Sequence, residues 1–336
     1  MSLQMCRRAR AVLLAAVLLA ALPVLASEQE TAESWLLKLG PALNMTTYRG
    51  IFVYARGEQV SSMMIAHRYR DGQVDERLVQ QDGANGEILR RGNQVVCVLP
   101  EQGRIQLDQV IPSGPFAEAF ASQQVPVGAW YQPELLGEDR VAGYPAVVIA
   151  LEPRDEHRYG YRLWMEKHTG LLLKSHVRKQ QEVLERFQFT MLEITDDIPD
   201  SEFEIQSGVE VRDITPELPL SGDPGSMDGW ELGWRPDGFM PAAAPGSGRG
   251  QAVAFSDGLA TFSVFVEPAG GNPDMPQGAS RIGATTLYMH YAEAGEQSGE
   301  RFLVTVVGEI PPRTAMRVAQ SVTVDDRNAL VRALAE

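Results

Sequence analysis

Strand-length runs dominate the chain. From residue 49 to about 110, apolar and polar positions alternate in YRGIFVYARG, VSSMMIAHRYRDG, VDERLVQQDGANG, EILRRGN and QVVCVLPEQG. Turn residues close nearly every run: Gly57, Asp71-Gly72, Asn85-Gly86, Gly92-Asn93 and Gly103. Punctuation this regular predicts an antiparallel meander. Strands resume at RVAGYPAVVIA (140–150), RYGYRLWME (158–166), GLLLKSHVRK (170–179) and VLERFQFTMLE (183–193). A sheet of this length must curl or close to hide its apolar face.

Helical spacing interrupts the strands in a few places. Trp35, Leu36 and Leu39 share one face behind Thr31 or Ser34 as caps, and Gly40-Pro41 is expected to stop that helix. In PSGPFAEAFASQQ (112–124) Phe116, Ala119 and Phe120 share a face, which predicts a short helical insert.

Residues 213–228 hold three Pro and two Gly without periodicity and read as a linker. Beyond it the pattern returns to strands. WELGW opens the region, and Ser256-Asp257-Gly258 between two apolar runs signals a hairpin. RIGATTLYMHY and RFLVTVVGEI read as two more strands. PPRTAMRVAQSV begins with Pro near the first helical position and spaces Met316, Val318-Ala319 and Val322 as one helix face. The predicted class is mostly antiparallel β with α. The expected organisation is 1–26, a first domain at 27–212, the linker at 213–228 and a smaller second domain at 229–336.

The first 26 residues stand apart. RRAR at 7–10 precedes the apolar run AVLLAAVLLAAL, and VLA at 24–26 supplies small residues before a cleavage point. This is the pattern of a secretory signal peptide, and the apolar run is too short to span a bilayer comfortably. Its removal takes Arg7, Arg8 and Arg10 from 30 basic residues and nothing from 44 acidic ones, so the net charge moves from -14 to -17. A chain this acidic repels polyphosphates overall, which argues against nucleic acid as a partner. Of the two cysteines only Cys97 remains after cleavage, in the apolar run NQVVCVLP, so no intramolecular disulfide forms. Cys97 reads as a small buried hydrophobe.

Candidate chemistry is sparse. YRLWMEKHTGLLLKSH (161–176) gathers two of the five His with Glu166, Lys167 and Lys174. Strand alternation sends Tyr161, Leu163 and Met165 to one side and Arg162, Trp164 and Glu166 to the other. Thr169-Gly170 supplies the turn, and His168 falls within it. Nothing in the spacing brings a His onto a carboxylate. There is no HExxH, GxSxG or P-loop, and the five His lack metal-ligand spacing. No catalytic residue, metal or cofactor is expected. An envelope hydrolase would require His157 or His176 beside a carboxylate in a cleft.

Two basic clusters stand out against the acidic background. Residues 154–179 place Arg154, Arg158, Arg162, Lys167, Lys174, Arg178 and Lys179 against only Asp155, Glu156 and Glu166. Arg68, Arg70, Arg77, Arg90 and Arg91 form the second. Such cations either present themselves to phosphate or carboxylate groups, or sit on exposed strands where charge discourages edge pairing. The second domain carries Trp230, Trp234, Phe239, Phe262 and Phe265, which suit either its core or a partner contact.

The hairpin YRLWMEKHTGLLLKS, the strand FVYARGEQVSSMMIAHRY, the loop WELGWRPDGF, the hairpin SDGLATFSVFVEP and the segment TVVGEIPPRTAMRVAQSV together resemble the MucB/RseB family, across about 30–323. The resemblance implies a periplasmic negative regulator of a sigma-E-type envelope stress response, with alginate synthesis as the output in mucoid-type relatives. Such a protein binds the periplasmic segment of a single-pass anti-sigma factor and shields it from regulated proteolysis. Lipid or lipopolysaccharide signals release it. The implied fold is an unclosed half-barrel like the LolA/LolB lipoprotein carriers, with a helical plug, followed by a smaller antiparallel sheet with a helix that contacts the partner. Homo-oligomers are implied as well. On that fold Phe116 and Phe120 are expected in a lid, and Leu163, Met165 and Leu172 as walls of an apolar concave face. Arg158 and Arg178 are expected at a basic rim that holds headgroup phosphates. A periplasmic lipid or lipoprotein carrier is the alternative, although simple carriers lack the second domain.

Overall fold

The computed structural model describes residues 30–83, 86–92, 94–99, 103–107, 127–205, 213–214, 227, 229–242, 251–269, 276–293 and 301–324. The expected signal peptide, the 112–124 helix with Phe116 and Phe120, and most of the 213–228 linker lie outside the described residues.

Helix α1 (Ala32–Met45) precedes the meander β1 (Tyr48–Arg56), β2 (Gln59–Arg70), β3 (Gln73–Gln80), β4 (Glu87–Arg91), β5 (Gln94–Leu99) and β6 (Gly103–Leu107). After the short α2 (Val127–Trp130) come β7 (Tyr131–Val141), β8 (Tyr144–Pro153), β9 (Gly160–Glu166), β10 (Leu172–Lys179) and β11 (Glu182–Ile194). With the two-residue β12 (Asp213–Ile214) they form one twelve-stranded sheet, ordered β12-β6-β5-β4-β3-β2-β1-β11-β10-β9-β8-β7. Every pairing is antiparallel except β12 with β6. The end strands do not pair with each other, so the sheet is open.

The sheet is curled around α1. The helix touches β2, β10 and β7, the sixth, ninth and twelfth strands in that order. Six strand spacings would span about 29 Å in a flat sheet, well beyond a helix about 10–12 Å across. Trp35, Leu36 and Leu39, the predicted helix face, pack among Tyr48, Ile65, Leu163, Met165, Leu172 and Phe189. Pro41 does not stop the helix, which runs on to Met45. The amide that Pro41 lacks would have bonded the carbonyl of Leu37, whose side chain points to solvent, while Leu39 and Ala42 on either side are buried. Burial of that face outweighs the lost bond.

Two segments read as single strands are hairpins. Residues 140–150 turn at Ala142-Gly143, which joins β7 to β8. RIGATT turns at Gly283 to join β17 (Gly278–Ile282) to β18 (Thr285–Glu293). The predicted Thr169-Gly170 turn forms between β9 and β10, with Gly170 at φ 79°.

The second sheet is ordered β14-β15-β16-β19-β18-β17, from β14 (Met240–Ala242), β15 (Gln251–Ser256), β16 (Thr261–Pro268) and β19 (Arg301–Gly308) with β17 and β18. Helix α3 (Pro312–Gln320) packs on β18 and β19. The separate pair β13 (Trp230–Leu232) and β20 (Val322–Val324) completes this core. The helix buries Thr314, Ala315, Val318 and Ala319, whereas Met316, expected inside, is exposed. Val322 lies beyond the helix and is buried by strand pairing opposite Leu232, so it does not set the helical phase.

The α1 contact gives a direct test. Leu39 is 0% exposed and Leu37 79%. Leu39→Ala should destabilise the chain by about 2–5 kcal/mol in urea denaturation, and Leu37→Ala by no more than about 0.5 kcal/mol.

Candidate functional site

The two sheets meet at a polar junction built from hairpin tips. The Ser256-Asp257-Gly258 turn between β15 and β16 and the Gly283-Ala284 turn between β17 and β18 reach the first sheet. Leu259 and Ala284 are counted among its apolar core. Tips suit this task because a tight turn exposes backbone amides that a carboxylate can collect.

Arg158, from the loop between β8 and β9, forms the centre. Its side chain is 0% exposed, as is that of Asp257. Its Nη1 lies 3.0 Å from Asp257 Oδ2, and its Nε lies 3.2 Å from Asp155 Oδ1. Nη2 donates to the carbonyl of Asp237. The guanidinium sits 5.0 Å from the ring centres of Trp130 and Phe239. Asp257 also accepts from the amides of Leu259 (2.9 Å) and Ala260 (2.8 Å) and from the Tyr131 hydroxyl (3.1 Å). One carboxylate therefore shapes its own turn and anchors that turn to the other sheet. Burial raises its pKa above the usual carboxylate value, against the pull of those donors and Arg158.

Close backbone approach surrounds this pair. Gly238, in WELGWRPDGF, has φ 85°, and a Cβ there would run into the Trp130 indole. At the second tip the Ala284 amide donates to Glu185 Oε1 at 2.8 Å. Buried Glu185 also accepts from the Tyr54 hydroxyl and lies 3.5 Å from Arg56 Nε. Glu309, from TVVGEIPP, lines the same small recess as Glu185, and burial with that neighbouring carboxylate raises its pKa to about 7. On the α3 side, His157 Nδ1 is 3.2 Å from Thr314 Oγ1 and its ring meets Trp234 edge-on at 5.1 Å. Arg317 covers Trp234 at 3.8 Å.

Several sequence expectations change in this light. Arg158, expected at an open rim, is buried because a carboxylate from the other sheet meets it. Leu163, Met165 and Leu172 are core residues packed with α1 rather than walls of an open cavity. Arg178 does lie on the half-exposed outer face of β10, on the side away from α1. Trp230, Phe239 and Phe262 are buried in the second core, and Trp234 is half-buried over it. Phe265 alternates to the opposite face of β16 from Phe262 and is half-exposed. The roles of Tyr131, Glu185 and Asp257 were invisible in the sequence, although the turn carrying Asp257 was legible.

Of the histidines, His67 alone among the described residues lies within 4.0 Å of a carboxylate, that of Glu76, and both are buried in the core. His168 is exposed in its turn. His67 is buried with a pKa lowered to about 4 by desolvation, and its Nδ1 lies 2.9 Å from the carbonyl of Thr46. His176 lies among Lys174, Arg186, Arg162 and Arg178 rather than carboxylates, and burial and those cations hold its pKa near 4. Cys97 is half-buried rather than buried, and burial raises its thiol pKa, which favours the less nucleophilic protonated form. Among the described residues no group of His, Cys, Asp and Glu is arranged to hold a metal. No helix among them is long and apolar enough to cross a membrane.

Comparison with known proteins agrees with the residues quoted above. Residues 31–206 match the MucB/RseB N-terminal domain and residues 225–323 the MucB/RseB C-terminal domain. The sigma factor AlgU regulatory protein MucB of Pseudomonas aeruginosa is 36% identical over 314 residues, covering 88% of this chain and 92% of that protein. The sigma-E factor regulatory protein RseB of Haemophilus influenzae is 28% identical over 309 residues, covering 89% and 93%. The solved MucA/MucB complex of Pseudomonas aeruginosa superimposes with a TM-score of 0.67 at 32% identity, over 88% of this chain and 99% of that one. The two sequence relatives are named as regulatory proteins of sigma factors.

The junction yields two tests. Asp257→Ala removes the fully buried carboxylate and leaves buried Arg158 with only Asp155, and should cost about 3–5 kcal/mol in chemical denaturation. Replacing both, as Arg158→Met with Asp257→Leu, should cost less than the single change because no charge is stranded. Glu309 sets a pH dependence. Its folded pKa, about 7, lies above the usual 4.5, so the folded chain holds the extra proton between those values. Stability should therefore rise as pH falls from above 7 toward 4.5 and level off below. Glu309→Gln should flatten that portion of the curve and raise the melting temperature at pH 8.

Proposed function

The chain belongs to the MucB/RseB family, and on that premise we propose that it is a periplasmic negative regulator of a sigma-E-type stress response. It binds the periplasmic segment of a membrane anti-sigma factor, shields that segment from regulated proteolysis, and releases it in response to a lipid or lipopolysaccharide-type signal. The observation that carries the reading is the likeness, over 88% of this chain, to MucB solved together with MucA. The export signal in the sequence supports the compartment. The junction supports the mode of action, because two sheets joined through hairpin tips give a partner segment both domains to engage at once.

Burial divides the candidate contact residues. Trp230, Phe239 and Phe262 hold the second sheet together. Trp234 is half-buried between His157 from the first sheet's loop and Arg317 from α3, which suits it to partner contact; Phe265 is the other half-exposed aromatic. A lipid reaching Leu163, Met165 and Leu172 must displace α1, which occupies that face. This gives lipid binding a structural consequence and makes a freely loading carrier the weaker reading.

The test is size-exclusion co-elution of residues 27–336 with the periplasmic segment of the anti-sigma factor from the same genome, with and without anionic lipid. Co-elution that lipid abolishes is expected. Trp234→Ala should weaken the complex about tenfold or more while leaving the fold intact by circular dichroism. Absence of any complex, with lipid carried by the protein alone, would move the assignment to a carrier.

A further inference from the structure

The outer face of the first sheet carries a cross of cations. In the pairing of β10 with β9, His176 stands opposite Arg162; in its pairing with β11, His176 stands opposite Arg186. Lys174 and Arg178 lie two residues away on the same strand and therefore on the same face. Four cationic side chains thus start from positions within about 7 Å of one residue. All four act electrostatically on the imidazole at their centre.

None of the four has an ion pair among the described residues. Lys174 lies 4.4 Å above the Trp164 ring, and Arg178 Nη2 donates to Gln181 Oε1 at 3.3 Å. Structured acids nearby include Asp139, held by the Trp164 indole at 2.8 Å and acting on Lys174, and Glu152, whose carboxylate lies over Gly160 opposite Arg178. The Nε atoms of Arg162 and Arg178 are buried and have no acceptor. The other basic cluster behaves differently: Arg68 pairs with Asp75 and Asp200, Arg70 with Asp197, and Arg77 with Glu87.

Protection of a sheet edge does not account for the cross. The strands β9, β10 and β11 are interior, each paired on both sides. The four cations face His176, Trp164, Gln188, Gly160 and Val183 rather than one another, but crowded around one residue on one face they still repel, and buried donors without acceptors add to the cost. An oxyanion at the centre would reverse both penalties, since guanidinium groups grip phosphate oxygens with charge-assisted, often paired, hydrogen bonds.

We propose that Arg162, Lys174, Arg178 and Arg186, arranged around His176, form a binding site for a phosphate group on the outer face of the first sheet. The cations surround one point, which fits a single compact anion with several oxygens. An acidic peptide spreads its carboxylates along a chain, and these strands have no free edge for it to join. The site does not depend on the anti-sigma-factor reading, because it binds in the absence of that partner.

The test uses the full chain, without the anti-sigma segment, at low ionic strength. Calorimetry with inorganic phosphate forms one arm. Co-sedimentation with phosphatidylcholine vesicles, with and without phosphatidylglycerol, forms the other. Binding in either arm is expected, and Arg162→Gln with Arg186→Gln should weaken it by about ten- to hundredfold. Arg140→Gln, outside the cross, should leave it unchanged. Binding of free phosphate alone identifies a soluble ligand, and selective binding of phosphatidylglycerol vesicles identifies a lipid headgroup; both support the site. The double variant removes only cations without ion pairs and should melt no lower than the parent; if it fails to fold, the exposed Arg186→Gln alone carries the comparison. No binding in either arm, or binding that the substitutions leave intact, overturns the proposal. Binding of poly-glutamate in place of phosphate would overturn it in favour of an acidic protein partner.

Discussion

Arg158 runs from the β8–β9 loop into the second sheet, and its ion pair with Asp257 is the contact on which the arrangement of the two sheets depends. A buried pair of this kind contributes little net stability, because desolvation offsets most of the attraction. Its effect is on geometry. Asp257 can meet Arg158 only while its carboxylate also holds the amides of Leu259 and Ala260. The Tyr131 hydroxyl reaches the same carboxylate only from the start of β7. A slip of the hairpin tip by one residue would strand a cation, a carboxylate and a phenol together. The hydrophobic contacts of Leu259 and Ala284 tolerate displacement far better than this polar set does.

The same junction carries an excess of acid. Asp257, Glu185 and Glu309 are met by Arg158 and Arg56. Asp257 and Glu185 collect backbone amides as well, so their charge is compensated locally. Glu309 shares its recess with Glu185 and yields by holding a proton more tightly. The junction is thus least strained when Glu309 is neutral, which ties its integrity to the pH range just below neutrality.

Much of this fold is legible in the chain. The meander, the Thr169-Gly170 and Asp257-Gly258 hairpins and the apolar face of α1 follow from alternation, turn chemistry and helical spacing. The failures share a cause in tertiary context. Pro41 was expected to end α1, but the flanking Leu39 and Ala42 are buried and the carbonyl left without a donor faces water. The turns at Ala142 and Gly283 sit inside runs whose apolar residues continue past the turn. Met316 was placed inside by a face drawn through Val322, a residue that belongs to the next strand. The site was less readable than the fold, since Arg158 and Asp257 are 99 positions apart and neither neighbourhood announces the other.

The basic residues show why charge could not be interpreted before topology. Arg77, Arg158 and Arg162 look alike in the sequence, each an arginine in strand-rich text with acids nearby. The sheet order separates them. Arg77 faces Glu87 from the adjoining strand, at 2.6 Å. Arg158 sits in a loop that the second sheet covers. Arg162 points outward from an interior strand toward other cations. Only the last situation leaves positive charge without a structural reason, because an edge strand would need it, an ion pair would use it and a junction would bury it. Position in the ladder, and not local composition, is what turns a cation from packing material into a candidate for binding.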